Sequence, residues 1–489
     1  MHGLTGGDWK RAASAEPRQS PTLLMAGAEP VVRTSPSAAA QPHRPYRLPR
    51  WLFPLGIAAL LLSLAAYAAD LHLYSLHQML PMLDLEVYRD GGLLTLHHDA
   101  GLHPPTNLYT WQLEPGMEFT YTPFAAVLFT VPALLTFSAL RVLIWVASVL
   151  ALGTALWLAF GGLGHPRDRA RLGAALLLTA VMLWTQPVVR TLQLGQVNLL
   201  LMVLVIWDLC QPEKRKWMGA GVGIAAGIKL IPLIFIPHLA LTGRLRQAAV
   251  ATASFAATIL IGFAVLPRAS AQWWFNGLFL DAGRTGFIGD LENQSLRGMI
   301  TRLSGSVAAG VPAWEAAAVI VALLGFASAA MLHRSGRPVE GLLTCALTGL
   351  LISPISWDHH WVWIGPALAV LLHYALRSHG AHRLAACVCG AAILVVFGAW
   401  PSFWLPGAGF IPNGLIWYAP ATYFSTGDHP WFREYHWHGL QLLAGNLYVL
   451  AGLACLAVIS VIALRGPAAA FAAWARAGQW RRSPRSTQA

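Results

Sequence analysis

The dominant pattern along the chain is a series of long apolar stretches separated by short polar ones. About 20 apolar residues in a helix cross the roughly 30 Å hydrocarbon layer of a bilayer. Only helices and closed barrels satisfy every backbone polar group in lipid. The pattern therefore predicts an all-α polytopic membrane protein with about 10–13 transmembrane helices. The apolar stretches are residues 51–73, 123–136, 138–161, 172–189, 198–210, 218–242, 246–266, 310–332, 341–354, 360–376, 383–401 and 444–464.

Composition supports the membrane class. Hydrophobic residues make up 56% of the chain and charged residues 11%, with a mean hydropathy of +0.54. A formal charge of +12 would indicate nucleic-acid binding in a soluble domain, but here the charges cluster at the ends of apolar stretches. The expected partner is therefore the membrane and no nucleic acid. The five cysteines lie in or beside apolar stretches and imply no disulfide framework.

The distribution of Lys and Arg predicts the orientation of the chain in the membrane. With the N-terminus in the cytoplasm, 24 of the 33 basic residues fall in cytoplasmic segments and six on the opposite side. Cytoplasmic loops carry such an excess of basic residues. The bias predicts a multi-pass protein of the bacterial plasma membrane with both termini cytoplasmic. The periplasmic loops would be residues 74–122, 267–309 and 402–443.

This orientation requires two apolar stretches to enter the membrane and return. Residues 123–136 are short, follow Thr122-Pro123 and contain Pro132. Residues 218–242 have cytoplasmic basic clusters at both ends and Gly, Lys and Pro near the middle. Non-helical backbone is tolerated at membrane depth where it lines a polar cavity. We therefore predict re-entrant or short hairpins at both stretches.

Composition also predicts four regions along the chain. Residues 1–50 are rich in Ala, Pro, Ser, Arg and Gly without apolar periodicity, which indicates a disordered cytoplasmic tail. The N-terminal catalytic transmembrane module covers residues 51–266. The C-terminal transmembrane module with periplasmic loops covers 267–465, and a basic cytoplasmic tail covers 466–489.

Polar residues gather toward the predicted outer face. Asp84 follows the first span by some ten residues and begins a short amphipathic stretch that Gly91-Gly92 should interrupt. Read alone, it could equally be an ordinary hydrated carboxylate. Convergence of several polar stretches on one face favours a functional site. These stretches are Asp84–Gly92, Thr120–Pro123, Gln193–Asn198, Asn293–Gly298 and Ser353–Trp361.

Lys229 and the pair His359-His360 are the strongest further candidates. A cation near the middle of an apolar stretch costs about 2.5–3.5 kcal/mol even on the milder insertion scale. Lys229 would approach the outer cavity from the cytoplasmic side. The alternative is a side chain that snorkels to the membrane interface. The histidines lie between Trp357 and Trp361, a setting that also fits an aromatic belt at the interface.

The sequence predicts no metal ligands and no cofactor. Asp84 and Glu86 form an Asp-x-Glu pair, but residues two apart face different sides of a helix. No carboxylate and histidine cluster shows the spacing of metal ligands. Transfer chemistry without a divalent ion is the expectation.

Six blocks together resemble a known family. They read DLEVYRDGG, FTYTPFAAVLF, LGQVNLLLMVLVIWDL, GVGIAAGIKLIP, DAGR followed by NQSLRGMITRL, and LLISPISWDHHWVW, and they cover roughly residues 75–365. Their order and spacing are similar to glycosyltransferase family 87. This family contains the polyprenyl-phosphate-mannose-dependent α-1,2-mannosyltransferases of actinobacteria, including those that act on phosphatidylinositol mannosides.

The resemblance implies a C-type glycosyltransferase fold with a periplasmic active site. It implies Asp84 as the catalytic base and Lys229, His359 and His360 as ligands of the donor phosphate. It also implies a polyprenyl-phosphate sugar donor and a glycolipid or lipoglycan acceptor, with inversion and an α-1,2 linkage. Glu86 stands where many relatives have His. Further candidates for substrate binding are Tyr121, Gln196, Asn198, Asn293, Gln294 and Arg297.

Two other functions fit parts of the pattern. A C-type transferase for another lipid-linked sugar, such as arabinofuranose or glucose, would share the same blocks. A lipid or solute transporter would also contain an intramembrane lysine and broken helices. The absence of a detectable repeat between the two halves, and the gathering of polar stretches at one face, argue against transport.

Overall fold

Helices build all of the regular structure that the computed structural model describes. It describes residues 47–73, 80–96, 108–110, 117–211, 215–400, 414–417, 434–435 and 437–480. Within these ranges the only β pairings are the isolated bridges Thr185–Gly398 and Asn293–Trp357. The all-α prediction is therefore confirmed. Most of the predicted N-terminal tail and the last nine residues lie outside the described ranges.

Within the part of the chain that the structure describes, six helices are long and apolar enough to cross a bilayer. Only 11–33% of the residues in their apolar windows are buried inside the protein, so most of these side chains are available to lipid. This confirms a polytopic membrane protein. The six are α1 (Leu52–Leu73), α4 (Phe137–Gly162), α10 (Leu245–Val265), α13 (Val307–Arg334), α16 (Gly380–Phe397) and α18 (Leu447–Trp480).

The other helices are shorter or broken. Several of the predicted spans belong to this group, so the total of 10–13 stays a prediction. They are α2 (Leu83–Leu96), α3 (Pro123–Ala133), α5 (Arg169–Met182), α6 (Gln186–Leu194), α7 (Asn198–Leu209), α8 (Ala220–Ile228), α9 (Phe235–Leu241), α11 (Pro267–Trp274), α12 (Leu296–Ser304), α14 (Pro338–Ile352), α15 (Ile364–Arg377) and α17 (Leu440–Gly445).

Several segments that carry the basic residues meet at one end of the bundle. His165, after α4, lies 2.9 Å from His373 of α15 between the two ring nitrogens. Arg334, at the end of α13, donates a hydrogen bond of 2.8 Å to the carbonyl of Leu241 at the end of α9. These contacts bring together loops that the charge bias assigns to the same side.

The predicted hairpin at 218–242 is present. Helix α8 enters alongside α10, and the chain returns through a 3-10 turn (Ile231–Ile234) and α9. Both ends of the hairpin meet at Arg244. Its backbone N–H donates to the Leu239 carbonyl at 2.9 Å, and its guanidinium lies 3.6 Å from the Met218 sulfur. The middle of the hairpin, at Lys229, is thus carried into the interior of the bundle.

The stretch at 123–136 also fails to cross as a single span. Helix α3 has 11 residues and is therefore about 16 Å long. The Thr122 side chain accepts from the N–H of Ala125 and so caps the first turn. Three residues after α3 ends, α4 begins at Phe137. The length confirms a short helix, as the sequence predicts.

One local expectation is wrong. Helix α2 continues through Gly91-Gly92 to Leu96 and is not interrupted there. Both glycines are buried, because Gly91 packs against the Phe119 ring and Gly92 against the backbone of α3 at Phe129. Glycine lowers helix propensity by about 1 kcal/mol, but a side chain here would collide with these neighbours. Close packing therefore explains the two glycines.

A sharp break separates α6 from α7. The two helix axes differ by 116°. Gly195 ends α6 in the left-handed conformation, with φ of +69°, and its N–H donates to the Leu192 carbonyl. Glycine adopts this conformation without the penalty that a Cβ imposes. The break lies inside the protein, where it turns the following residues toward α2.

We predict that Gly195→Ala destabilises the protein. The positive φ costs about 1–2 kcal/mol for a residue with a Cβ, and the new methyl would lie 2.6 Å from Leu85 Cβ. The thermal unfolding midpoint in detergent should fall clearly below that of the wild type. Gly390→Ala is the matched control, because a Cβ at Gly390 meets nothing within 4 Å. Equal midpoints for the two variants would contradict this account.

Candidate active site

Asp84 lies at the first turn of α2, directly beside the break between α6 and α7. Met82, just before the helix, holds φ of +53°, and its N–H donates to the Gln193 carbonyl at 2.8 Å. The Gln196 side-chain amide donates to an Asp84 carboxylate oxygen through Nε2. The strained entry to α2 and the helix break together hold this carboxylate against one amide group.

Gln196 connects Asp84 to three further polar groups. Its Oε1 lies 2.9 Å from the Tyr88 hydroxyl, 3.0 Å from the Tyr121 hydroxyl and 3.4 Å from Lys229 Nζ. Burial raises the pKa of both tyrosines above the usual value, so both keep their proton. The two hydroxyls also lie 2.6 Å apart, so one tyrosine donates to the other and the second donates to Oε1. With Oε1 accepting from a tyrosine and from Lys229, Nε2 faces Asp84.

Lys229 sits where α8 ends and the chain becomes extended. Its Nζ lies 3.0 Å from Asn198 Oδ1 and 3.0 Å from His360 Nε2, and it faces the ring of Tyr121. Asp208 anchors the other end of α8 by accepting the N–H groups of Gly219 and Val222. A buried ammonium with three polar neighbours is compensated, so Lys229 is not a snorkelling side chain.

The two histidines lie on a 3-10 segment, Asp358–Trp363. The backbone carbonyl of His359 accepts from Asn198 Nδ2 at 3.1 Å and from Thr191 Oγ1 at 3.2 Å. Both rings are buried, and neither His359 Nε2 nor His360 Nδ1 has a hydrogen-bond partner among the described residues. These two nitrogens are therefore available to a ligand that enters the site.

A second group of charged side chains adjoins the histidines. Arg190 of α6 donates to Glu292 with a nitrogen–oxygen distance of 2.6 Å. Gln186 donates to Asp358 at 3.0 Å, and the other Asp358 oxygen lies 3.4 Å from His359 Nδ1. Burial raises the pKa of Glu292 to about 7 although Arg190 acts in the opposite direction. Burial likewise raises the pKa of Asp358.

This group forms a cluster that the spacing of residues in the sequence does not indicate. Glu292, Asp358 and His359 offer ligand atoms that lie within 4.8 Å of one another, which is close enough to hold a metal ion. Glu292 precedes Asp358 by 66 positions, so no sequence spacing indicates the cluster. Arg190 already occupies one Glu292 oxygen, which leaves a cation less room and less charge to bind.

A small, partly open cavity of about 40 Å³ adjoins the polar centre. Asn198, Lys229 and His360 line its polar end. The remaining wall is mostly apolar and includes Leu201, Met202, Val205, Ile231, Phe235 and Leu350. A ligand with an anionic head and an apolar tail fits this change from polar to apolar lining.

The structure brings most of the predicted site residues together. Asp84, Tyr121, Gln196, Asn198, Lys229 and His360 are linked in one hydrogen-bonded group, and His359 adjoins it.

Asn293, Gln294 and Arg297 lie outside this centre. Asn293 accepts the Ser356 N–H at 2.9 Å, and Gln294 donates to the Gly445 carbonyl at 2.7 Å. Both are fully buried and tie loops together. The Arg297 guanidinium stacks over Trp314 at 4.9 Å. These residues support the site from outside and do not line it.

Sequence reasoning missed Tyr88, Arg190, Glu292 and Asp358 as members of the site. Tyr88 and Asp358 belong to the polar stretches that the sequence singled out, so their positions carried a signal. Arg190 also carried one, since it is a cation within an apolar stretch. Glu292 had none, because its neighbours in space come from distant parts of the chain.

A lysine and a histidine that line an apolar cavity, with a carboxylate and a second histidine beside them, form a polar site inside a multi-pass membrane protein. The family model for glycosyltransferase family 87 matches residues 119–354. The chain belongs to this family, and it is a glycosyltransferase.

Curated relatives agree with the family. The chain is 33% identical to the polyprenol-phosphate-mannose-dependent alpha-(1-2)-phosphatidylinositol pentamannoside mannosyltransferase of Mycobacterium tuberculosis, over 82% of this chain and 86% of that protein. It is 34% identical to the protein of the same name from Mycolicibacterium smegmatis, over 76% and 85%. A phosphatidylinositol mannoside mannosyltransferase of M. tuberculosis is 31% identical over 59% and 70%. No solved structure matches significantly, so the C-type fold stays a prediction.

Proposed function

We propose that this protein transfers mannose from a polyprenyl-phosphate-mannose donor to a phosphatidylinositol mannoside or related lipoglycan acceptor, forming an α-1,2 linkage. The observation that carries the proposal is the connection of Asp84 to Lys229 through one amide, Gln196. This arrangement sets a base and a phosphate-binding cation a few ångströms apart. The names of the relatives supply the sugar and the acceptor class.

Asp84 is the proposed general base. Its carboxylate takes the proton of the acceptor hydroxyl while the oxygen attacks the anomeric carbon of mannose. The bond from this carbon to the phosphate oxygen breaks on the opposite side, which inverts the configuration. A phosphate leaves as a stable anion, so the reaction needs no general acid. A positioned base of this kind contributes about 10²–10⁴-fold to rate.

Lys229 and the two histidines are the proposed ligands of the donor phosphate. The ammonium group and the two unpartnered ring nitrogens point to the place where negative charge grows as the phosphate leaves. Such preorganised donors act strongly where water is excluded. The apolar part of the cavity, along Leu201 and Phe235, would accommodate the first units of the prenyl chain.

The site is proposed to lie at the periplasmic face and to need no divalent metal. Loops on the side of Asp84 carry six of the 33 basic residues, and this places them outside under the charge bias. A donor with a single phosphate presents less charge than a pyrophosphate. Lys229 and hydrogen-bonding histidines are sufficient to balance it.

We predict that Asp84→Asn lowers mannose transfer by at least 10²-fold, because the amide cannot accept a proton. Donor binding should change little, since Lys229 and the histidines remain. The measurement is transfer from radiolabelled polyprenyl-phosphate-mannose to phosphatidylinositol mannosides by the purified protein, with α-1,2-mannosidase digestion of the product. Glu86→Gln is the control and should cost far less. Near-normal turnover of folded Asp84→Asn would remove Asp84 as the base.

We predict that Lys229→Met weakens donor binding and raises the KM for the lipid donor. The change keeps the apolar length and removes the charge, so the protein should still fold. Lys216→Met, on an exposed loop, is the matched control. If Lys229→Met turned over the donor with unchanged kinetics, Lys229 would have no role at the phosphate.

We predict that Thr285→Cys reacts with a membrane-impermeant maleimide in intact spheroplasts, whereas Ser335→Cys reacts only after lysis. Both positions are exposed and lie in loops at opposite ends of the bundle. The five native cysteines must first be replaced. The reverse labelling pattern would place the site in the cytoplasm and contradict the proposed orientation.

A further inference from the structure

Arg190 lies at the centre of a charged group for which the proposed reaction has no role. It follows Gln186 by four positions, so both side chains project from one face of α6. Arg190 holds Glu292 at 2.6 Å, and Gln186 holds Asp358 at 3.0 Å. Asp358 in turn lies 3.4 Å from His359 Nδ1. Two side chains on one face of α6 therefore bind two carboxylates at the edge of the proposed donor site.

These two carboxylates require a cation. Asp358 is fully buried and the Glu292 side chain is 15% exposed, so water compensates little of their charge. Burying an unpaired carboxylate is costly, and two adjacent ones also repel each other. Lys229 is engaged with Asn198, His360 and Gln196. Arg190 contacts Glu292 directly and acts on Asp358 through its charge, and a guanidinium remains charged at all working pH values.

Glu292, Asp358 and His359 would commonly bind a divalent ion, but here the guanidinium contacts the same carboxylate. On the basis of the proposed function, we propose that Arg190 is a positioning residue that replaces a metal ion. Its charge offsets the negative charge of Glu292 and Asp358. It thereby keeps His359 directed at the donor phosphate, and it limits the negative charge that would repel this phosphate.

Removal of this charge has a defined consequence for the donor. With both carboxylates ionised, Arg190→Gln changes the formal charge of the group from −1 to −2. Because the pKa of Glu292 is about 7 even beside Arg190, proton uptake by Glu292 reduces this change near and below neutral pH. The added negative charge opposes the phosphate more than it opposes the neutral acceptor hydroxyl. We therefore expect the donor KM to rise by about 10–100-fold with a smaller change in kcat. Arg190→Lys keeps the charge and should recover part of the loss.

The decisive test is a double-mutant cycle with Glu292→Gln. The double variant Arg190→Gln/Glu292→Gln restores the formal charge of −1. Coupling between contacting charged residues typically corresponds to about 2–150-fold. The donor kcat/KM of the double variant should therefore exceed that of Arg190→Gln by about 10-fold. A double variant that is no better than Arg190→Gln would overturn the proposal and indicate direct contact between Arg190 and the phosphate.

Experiments with metal ions test the remaining alternative, in which a bound metal is the native cation. Wild-type transfer should be unaffected by EDTA and by added Mg²⁺ or Mn²⁺. Arg190→Gln, with the carboxylates free, should gain activity with Mn²⁺. Loss of wild-type activity in EDTA, restored by either ion, would show that a metal is the native cation and would overturn the role of Arg190. Wild-type activity in Arg190→Gln would do the same.

Two controls keep this proposal distinct from the proposed function. The ion pair of Arg284 and Glu118, at 2.7 Å, lies outside the carboxylate group; Arg284→Gln should leave the donor KM unchanged. Thermal unfolding of the same four variants in the cycle needs no substrate and should show coupling of the same sign. If the wild type transferred no mannose but the unfolding midpoints still showed coupling between Arg190 and Glu292, the proposed substrates would be wrong and the charge compensation by Arg190 would remain supported. If the midpoint shifts of the two single variants simply added in the double variant, the charge compensation itself would be contradicted.

Discussion

The structure depends on mutual compensation of charges that are buried in an otherwise apolar bundle. Asp84, Lys229, Arg190, Glu292 and Asp358 lie at or beside the site, and each is held by hydrogen bonds or an opposite charge. An isolated ion in such a setting would lose several kcal/mol of hydration. The helices that carry these residues must therefore meet, and the position of each depends on the partner of its charged side chain.

Broken helices make this convergence possible. The α6–α7 break directs Gln196 toward α2, and the re-entrant hairpin ends α8 at Lys229. In a continuous helix every backbone group would bond within the helix, and Gln196 and Lys229 would not be brought to the same place. Interrupted backbone is tolerated at this depth because it lines a polar cavity. Asp208, which caps α8, stabilises the hairpin from the far end.

The two groups of charges have separate parts in the proposed reaction. Asp84 and Lys229, which would act on the acceptor and on the donor phosphate, are connected through the Gln196 amide. Arg190, Glu292 and Asp358 lie beside His359, where they would set the local charge. Thr191 and Asn198 both bind the His359 carbonyl, so α6 and α7 join the two groups mechanically. A glycosyltransferase of this design can bind an anionic lipid without placing an uncompensated charge in the membrane.

The sequence by itself determined the helical membrane class, the hairpin at 218–242, the shortness of the helix at 123–136 and most of the central residues. Apolar length, Lys/Arg bias and polar residues at membrane depth carry that information because lipid penalises each exception strongly. Only the tertiary structure decided that α2 runs through Gly91-Gly92, that Asn293 and Gln294 tie loops together, and that Glu292 meets Arg190. These outcomes depend on close approach between distant segments, and a carboxylate in a loop shows no pattern that identifies its partner until the helices have packed.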